Sequence, residues 1–293
     1  MSDDDDIESS RAPLIEHLNE LRSRLIICIA ALAVGFFACF FFSQQIYLLL
    51  LHPFEVAAAM MAQQKSGQAH GPFDLLYATI GLTPLPPKTQ ALKLVFTAPL
   101  EFFFTKMKLA GFGAVVITFP ILAWQLYRFV APGLYRKERH AFLPFLLASP
   151  LLFMLGAALV YFVILPFVLW FSLSQQITGG NVQVEMLPKV SDYLDLVTKL
   201  LLAFGLCFQL PVVLSLAGLA GLVTGQQLAS FRRYAIVLIV FVAAIVTPPD
   251  PLSQIMLAVP IYLLYEVSIW CVKLMQLRRA KAEAAEQALV EQG

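Results

Sequence analysis

Hydrophobic residues are concentrated in six long runs separated by short polar connections. A bilayer core is about 30 Å thick, so a crossing helix needs roughly 20 apolar residues. Backbone polar groups in lipid need partners within the segment, and the alternating ~10-residue strands of a barrel are not seen here. The pattern predicts an all-α membrane protein with six transmembrane helices. The predicted spans are 25–42, 108–130, 142–173, 200–223, 234–246 and 252–274.

The fifth run is shorter than a membrane crossing requires. Residues 234–246 would form about 20 Å of helix against about 30 Å of hydrocarbon. Such a mismatch is relieved by local thinning of the bilayer, by snorkelling side chains or by oligomerisation. We therefore expect this edge of the protein to thin the bilayer and to recruit partner helices.

Residues 14–25 have the period of an amphipathic helix. Leu18 and Leu21 share one face, while Glu20 and Arg24 lie on the opposite face. Arg22 falls at the border, where its long side chain can reach lipid headgroups. The pattern predicts a helix that lies along the cytoplasmic membrane surface and then turns into the first span. Glu20 and Arg24 are also spaced to form a solvated i,i+4 ion pair with no further role.

Basic residues are distributed unevenly between the two sides of these spans. An even number of spans puts both termini on one side, and that side holds 13 of the 20 basic residues, including all ten arginines. Because basic residues near span ends favour the cytoplasm, we predict that both termini are cytoplasmic. The N-terminus is acidic and no small-residue cleavage site follows the first run, so we expect that run to act as an uncleaved insertion signal.

We interpret residues 1–293 as a single polytopic membrane domain. Its soluble parts are a cytoplasmic N-terminal helix at 1–24, a large periplasmic loop at 43–107 and a cytoplasmic tail at 275–293.

The external loops have predictable features of their own. In the large loop, 75–82 and 92–104 are apolar enough to form short helices, and Glu101 marks the re-entry into the second span. A second external loop is expected at 174–199, with the acidic residue Asp195 in it.

The composition and motifs argue against enzyme chemistry. The chain is 59% hydrophobic and 13% charged, and its four histidines are scattered outside the predicted spans. Zinc-binding, nucleophile-elbow, phosphate-loop and dinucleotide motifs are absent from the sequence. The four cysteines lie in apolar runs, as small fillers do. We therefore predict a protein that is not an enzyme, with no cofactor, no metal and no nucleic-acid partner.

Two other classes of membrane protein are alternatives. A secondary transporter of a small solute would have paired broken helices and charges at the bilayer midplane. An intramembrane protease would need a nucleophile with a base, or a pair of aspartates, inside the membrane. The spans contain few midplane charges and no histidine, so neither class is favoured.

Polar residues and prolines interrupt the spans at a few positions. Gln209 lies in the middle of the fourth span, suited either to a hydrogen bond within the bundle or to contact with a partner helix. Glu266 lies nearer the cytoplasmic interface and can pair with a basic residue there. Tyr161, in the third span, is suited to packing against neighbouring helices. Prolines such as Pro53 bend or end helices, and together they predict a curved, concave bundle.

Three separated segments contain most of the polar residues that hydropathy does not explain. They are His17-Leu-Asn-Glu20-Leu-Arg22-Ser-Arg24-Leu25, Phe129-Val-Ala-Pro132-Gly-Leu-Tyr135-Arg-Lys-Glu138-Arg139, and Thr247-Pro248-Pro249-Asp250 with Ser253-Gln254. In the second segment, Glu138 is the single acid of a basic stretch. It is either part of a binding site or merely neutralises Arg136 or Arg139. The three segments resemble the TatC family, the twin-arginine translocase subunit, and the resemblance covers the chain from Leu14 to about Trp270.

The resemblance implies a receptor in the bacterial cytoplasmic (inner) membrane for folded proteins whose signal peptide has two adjacent arginines. Glu20 and Glu138 would bind the arginines, while Arg22, Arg24 and Arg136 would hold these glutamates ionised and in place. A guanidinium pairs bidentately with a carboxylate, and lysine matches this geometry poorly.

The resemblance also implies single-span partners that are TatA-like and TatB-like, in a working complex that is oligomeric within the bilayer. They are expected to dock at the fifth span and near Gln209. Other residues that we expect at partner-helix or intramembrane polar contacts are Pro211, Glu101, Tyr161, Phe129, Pro53 and Asp250. Because the sequence has no nucleotide-binding motif, binding or the transmembrane proton gradient would have to drive transport.

Overall fold

The computed structural model of the chain is helical over nearly all of the residues that it describes, which confirms an all-α membrane protein. It describes residues 3–65, 74–82, 94–130, 139–178, 183–184, 188–247 and 251–290. Two strands of two residues each, β1 (Ile177–Thr178) and β2 (Gln183–Val184), form an antiparallel pair between two of the long helices.

Eleven α-helices account for most of the residues that the structure describes. In chain order they are α1 (Asp3–Phe41), α2 (Ser43–Lys65), α3 (Asp74–Ile80), α4 (Glu101–Val130), α5 (Arg139–Leu159), α6 (Leu165–Ser174), α7 (Val190–Cys207), α8 (Leu210–Leu219), α9 (Gly225–Ser230), α10 (Arg232–Val246) and α11 (Pro251–Val290). A π-helical turn, Val160–Ile164, joins α5 to α6. Pro166 explains this wider turn, because its ring would clash with the carbonyl four residues earlier in a regular helix.

Five segments of the described chain are long and apolar enough to cross a membrane. They are Leu18–Phe41, Glu101–Phe129, Leu147–Ser174, Val190–Leu219 and Ser253–Lys281. The third comprises α5, the π-helical turn and α6, and the fourth comprises α7 and α8. These segments correspond to five of the six predicted runs and make the chain a multi-pass membrane protein. The remaining run is α10, whose 15 residues agree with its predicted shortness.

Helix α1 differs from its prediction. We expected a surface helix that turns into the first span, but α1 is one continuous helix from Asp3 to Phe41. The junction consists of Leu, Arg and Ser without proline or glycine, so helix propensity favours continuation. The ion pair between Glu20 and Arg24 also spans the expected turn and supports the helix there.

The segment predicted as a large external loop is more helical than expected. Helix α2 was not predicted, whereas α3 (Asp74–Ile80) overlaps the predicted 75–82 helix. Of the helix predicted at 92–104, only 101–104 are helical among the described residues, and Val95 instead forms a bridge with Lys189, the residue that precedes α7. Pro99 accounts for the difference, since proline disfavours helix in the residue before it. The re-entry at Glu101 is confirmed as the first residue of α4.

The second external loop is shorter than predicted. We expected a loop at 174–199, but α7 begins at Val190, so Asp192 and Asp195 lie within its first turns. The charged residues of these turns lower the local hydropathy, so hydropathy alone does not predict a helix there. Asp195 is accommodated because Lys108 of α4 pairs with it, at 2.8 Å from Nζ to the nearer carboxylate oxygen.

The interior of the bundle is built around α7. Its Val197, Leu200 and Phe204 side chains are fully buried, and α2 packs on the outer end of the bundle through Phe54. Gly205 lets α5 approach closely, because a Cβ there would lie 2.5 Å from a ring atom of Phe153. Many outward side chains of the long helices are large and apolar, as lipid-facing surfaces require.

Candidate functional site

The N-terminal cluster, which we define as Glu20, Arg22 and Arg24, lies on α1. A guanidinium nitrogen of Arg24, Nη2, contacts the carboxylate oxygen Oε1 of Glu20. The Arg24 side chain is 17% exposed and the Glu20 side chain 34%. The predicted i,i+4 pair is therefore confirmed, and it is half-buried.

Arg24 has a polar atom that the pair does not satisfy. Its Nε is buried and has no hydrogen-bond partner. The guanidinium thus contacts Glu20 through Nη2 and leaves the adjacent side of its donor fork unused. A carboxylate and a guanidinium bind most strongly through two parallel hydrogen bonds, so this geometry falls short of the best available.

The buried side of the N-terminal cluster faces α4. Gly35 marks this face of α1, because a Cβ there would lie 2.9 Å from Thr118 of α4. Arg24 is eleven residues before Gly35, about three helical turns, so it lies on the same face. The opposite face carries exposed leucines, with Leu18 60% exposed. The amphipathic pattern is confirmed, with its charged face turned toward the bundle.

The remaining predicted site residues lie in different parts of the chain. Of the predicted signal-binding residues, Arg22 is exposed on α1, and Glu138 and Arg136 lie outside the described residues. Of the predicted partner contacts, Phe129 is half-buried in the last turn of α4, and Asp250 lies outside the described residues.

Gln209 bridges two membrane helices. The helix is interrupted for two residues between α7 and α8. Gln209 is the N-cap residue of α8, and Pro211 is buried in the first turn of that helix. The Gln209 amide nitrogen donates to the backbone carbonyl of Ser149 at 2.9 Å, and the Ser149 hydroxyl donates to the amide oxygen at 2.7 Å. Of the two roles predicted for Gln209, the structure contains the hydrogen bond within the bundle. Ser149 was missed, although a serine inside an apolar run is a signal.

Tyr161 and Pro53 are joined by one interaction. Pro53 has no N–H, so the Leu49 carbonyl one turn earlier in α2 lacks its helical donor. The Tyr161 hydroxyl, from the π-helical turn, donates to that carbonyl at 2.7 Å. Tyr193 of α7 donates to the next carbonyl, that of Leu50, at 2.6 Å. Tyr193 was not predicted, because a bond to a backbone carbonyl 143 residues away leaves no pattern in the sequence.

Glu101 ties the start of α4 to the start of α7. One carboxylate oxygen accepts hydrogen bonds from the backbone N–H groups of Thr97 and Ala98, at 2.7 and 3.1 Å. The other oxygen accepts from the Ser191 hydroxyl at 2.5 Å. Glu101 was expected among the partner contacts, and it makes these contacts within the chain. Together with the pair of Lys108 and Asp195, it joins the first turns of α4 to the first turns of α7.

Glu266 forms a polar cluster with α10. The Arg232 guanidinium donates two parallel hydrogen bonds to the Glu266 carboxylate, at 2.7 and 2.8 Å, and the Tyr262 hydroxyl adds a third at 2.9 Å. The predicted pairing of Glu266 with a basic residue is confirmed. Arg232 is the first residue of α10, so its ion pair with Glu266 fixes the start of α10 against α11.

The described side chains offer no other chemistry at these positions. No three His, Cys, Asp or Glu residues are grouped as metal ligands among the residues that the structure describes. The four cysteines are all free, and they are buried or half-buried within helices.

Comparison with known proteins gives a consistent result. A family model described as Sec-independent protein translocase protein (TatC) matches residues 16–260. A relative named Sec-independent protein translocase protein TatC, from Magnetococcus marinus, is 42% identical over 283 residues, which cover 97% of this chain and 92% of the relative. A relative of the same name from Aquifex aeolicus is 39% identical over 276 residues, covering 93% of this chain and all of the relative.

Two solved structures resemble the fold. One, described as the crystal structure of twin arginine translocase receptor TatC, has a TM-score of 0.65 and 36% identity, and the match covers 88% of this chain and 98% of that one. A second, of the receptor in the detergent DDM, has a TM-score of 0.68 and 35% identity, with coverage of 88% and 99%.

Proposed function

The chain belongs to the TatC family of Sec-independent protein translocase proteins, and we propose that its receptor site for twin-arginine signal peptides is built around Glu20. Membership makes the chain the receptor subunit of a twin-arginine translocase, a component of a protein-export machine. The family is not one of known enzymes, and a secondary transporter of small solutes is not favoured.

One observation carries the proposal: the Glu20 carboxylate already holds a guanidinium group. The site is half-buried and lies on the side of α1 that faces α4, so it provides a carboxylate in a position that water screens weakly. A signal-peptide arginine would find the charge and the geometry that it needs there. Glu138 would bind the second arginine, with Arg22 and Arg136 beside the two carboxylates. Helix α4 ends at Val130 and α5 begins at Arg139, so Glu138 immediately precedes α5.

The proposed topology has six crossings and both termini in the cytoplasm of a bacterium, with the protein in the inner membrane. It rests on the concentration of arginines in α1, between Arg128 and Arg139, at the start of α10 and in the last third of α11. In this topology α10 crosses with only 15 residues, about 22 Å of helix. The bilayer would become thinner around α10 to accommodate it.

Partner helices would dock at two places. Single-span TatA-like and TatB-like proteins would bind along α10, where the thin bilayer favours short helices, and beside Gln209. The Gln209 amide has two N–H donors and two acceptor lone pairs, and the bonds to Ser149 use one of each. One donor and one acceptor are thus available for a polar residue of a partner within the membrane.

Signal-peptide binding tests the proposal directly. The whole purified protein would be titrated with a peptide that has two adjacent arginines and with a peptide in which both are lysine. We expect Glu20→Gln and Glu138→Gln each to reduce binding of the arginine peptide at least tenfold, since each removes one charge-assisted pair. Glu283→Gln, which neutralises an acid in the tail of α11, is the matched control and should bind like the parent. Equal binding of the two peptides by the parent protein would contradict the proposal.

A further inference from the structure

We propose that Arg24 occupies the place of a signal-peptide arginine on Glu20, so that a signal peptide binds by displacing it. The inference rests on the proposed function, because it takes Glu20 as the receptor carboxylate. In this role Arg24 does not support ligand binding: it competes with the ligand and thereby lowers the affinity of the site.

The geometry of the pair makes Arg24 replaceable. Arg24 contacts Glu20 through Nη2, while its Nε is buried without a hydrogen-bond partner. Both residues belong to one helix, and their spacing of four residues fixes how their side chains approach each other. An arginine on a separate peptide has no such constraint and can align two N–H groups with the two carboxylate oxygens. The incoming guanidinium therefore makes a stronger contact than the one it displaces.

The burial of the pair explains why an internal guanidinium is needed. The Glu20 side chain is 34% exposed, and a carboxylate at this depth without a counterion loses much of its hydration. Arg24 neutralises Glu20 when no signal peptide is bound, so the empty receptor remains stable. Displacement then exchanges one ion pair for another, and the released Arg24 regains the hydrogen bond that its Nε lacks by reaching water.

The contact with an incoming arginine offsets the displacement of Arg24 better than a contact with lysine does. An ammonium group is a compact, strongly hydrated charge and cannot form the two parallel bonds of a guanidinium. Both peptides must displace the same guanidinium, so this cost lowers the affinity of each by the same factor. The lysine peptide, whose contact with Glu20 is weaker, is then left with little net binding. Removing Arg24 should therefore tighten binding of both peptides by a similar factor.

The experiment compares Arg24→Gln and Arg24→Lys with Arg278→Gln as a control, in the full chain, by titration with the twin-arginine and twin-lysine peptides. Arg278 is an exposed residue of α11, remote in sequence from the N-terminal cluster. We expect Arg24→Gln to bind the arginine peptide at least threefold more tightly and the lysine peptide more tightly by a similar factor. Arg24→Lys keeps the positive charge that stabilises the N-terminal cluster and should also bind the arginine peptide more tightly. It replaces Arg24→Gln in the titration if that variant does not fold.

The outcomes separate this inference from the proposed function. Unchanged or weaker binding by whichever Arg24 variants fold would overturn the inference and make Arg24 a supporting residue. Glu20→Gln with the affinity of the parent would overturn the proposed function itself. If the inference and the proposed function are both correct, Arg24→Gln should not change peptide affinity in the Glu20→Gln background, because no carboxylate is then left for Arg24 to occupy.

Discussion

The paired hydrogen bonds of Ser149 and Gln209 lead to a prediction at the scale of single residues. Ser149→Ala removes one of the two bonds and leaves the Gln209 amide oxygen without its donor, so we expect a loss of about 0.5–1.5 kcal/mol in the free energy of unfolding. Gln209→Leu removes both bonds and leaves the Ser149 hydroxyl unpaired, with an expected loss of about 1–2 kcal/mol. Unfolding in detergent, followed by circular dichroism, measures both values.

The double variant decides whether these two residues act together. Because they exchange both bonds with each other, the two losses should not add, and the double variant should cost less than their sum. Simple additivity would mean that Ser149 and Gln209 contribute through other neighbours. Thr118→Ala is a useful control, since its hydroxyl donates to a carbonyl of its own helix and should add to either variant.

At the scale of elements, Pro53 inside α2 predicts a coupling between α2 and the helix that carries Tyr161. Tyr161→Phe leaves the Leu49 carbonyl without a donor, and we expect a loss of about 1–2 kcal/mol in stability. In a Pro53→Ala background the new N–H can bond that carbonyl within α2, so the same substitution should cost less than half as much.

Tyr193→Phe is the matched control for this coupling. Tyr193 donates to the Leu50 carbonyl, whose helical donor is the N–H of Phe54 whether residue 53 is proline or alanine. Its cost in unfolding free energy should therefore be the same in both backgrounds. An equal effect of Pro53→Ala on the two tyrosine variants would mean that the substitution acts through the general position of α2 and not through the open carbonyl.

The length of α10 carries a second prediction for an element. Inserting four apolar residues into α10 would bring it to about 28 Å, close to the hydrocarbon thickness of the bilayer. If the short helix thins the membrane and attracts partner helices, the longer variant should insert stably yet transport signal-bearing proteins at least fivefold more slowly in membrane vesicles. The same insertion near the end of α11, beyond the last apolar turns, is the control. Full transport by the longer variant would contradict the role given to thinning.

At the scale of the whole molecule, the hydrophobic runs predicted the membrane class and five of the crossing helices. They failed where charged residues belong to a helix. The start of α7 was placed ten residues too late, because Asp192, Asp195 and Lys199 lower the local hydropathy while Lys108 from another helix pairs with Asp195. Helix α2 was missed for a related reason, since it is stabilised by packing of Phe54 and Leu50 on the bundle and not by crossing lipid.

Some of the candidate site contacts could be predicted from the sequence and others could not. Glu20 with Arg24, and Glu266 with a basic partner, could be predicted because helical spacing or membrane position makes them neighbours. The partners Ser149 and Tyr193 could not, because they are set by how the helices cross. The burial of the N-terminal cluster was also missed, since the amphipathic pattern shows two faces but does not say which one meets α4.

For the complete molecule, we predict six crossings with both termini in the cytoplasm, because the arginines are concentrated on one side of the predicted spans. With the cysteines at 28, 39, 207 and 271 replaced by alanine, single cysteines would be placed at Ser10, Gln68, Asn181 and Gln292. A maleimide that cannot cross the inner membrane should label Gln68→Cys and Asn181→Cys in intact spheroplasts. Ser10→Cys and Gln292→Cys should react after the membrane is opened, because the arginine-rich ends favour the cytoplasm. Labelling of Gln292→Cys from outside, with Ser10→Cys protected, would mean that the short helix α10 does not cross the membrane and that the C-terminus is external.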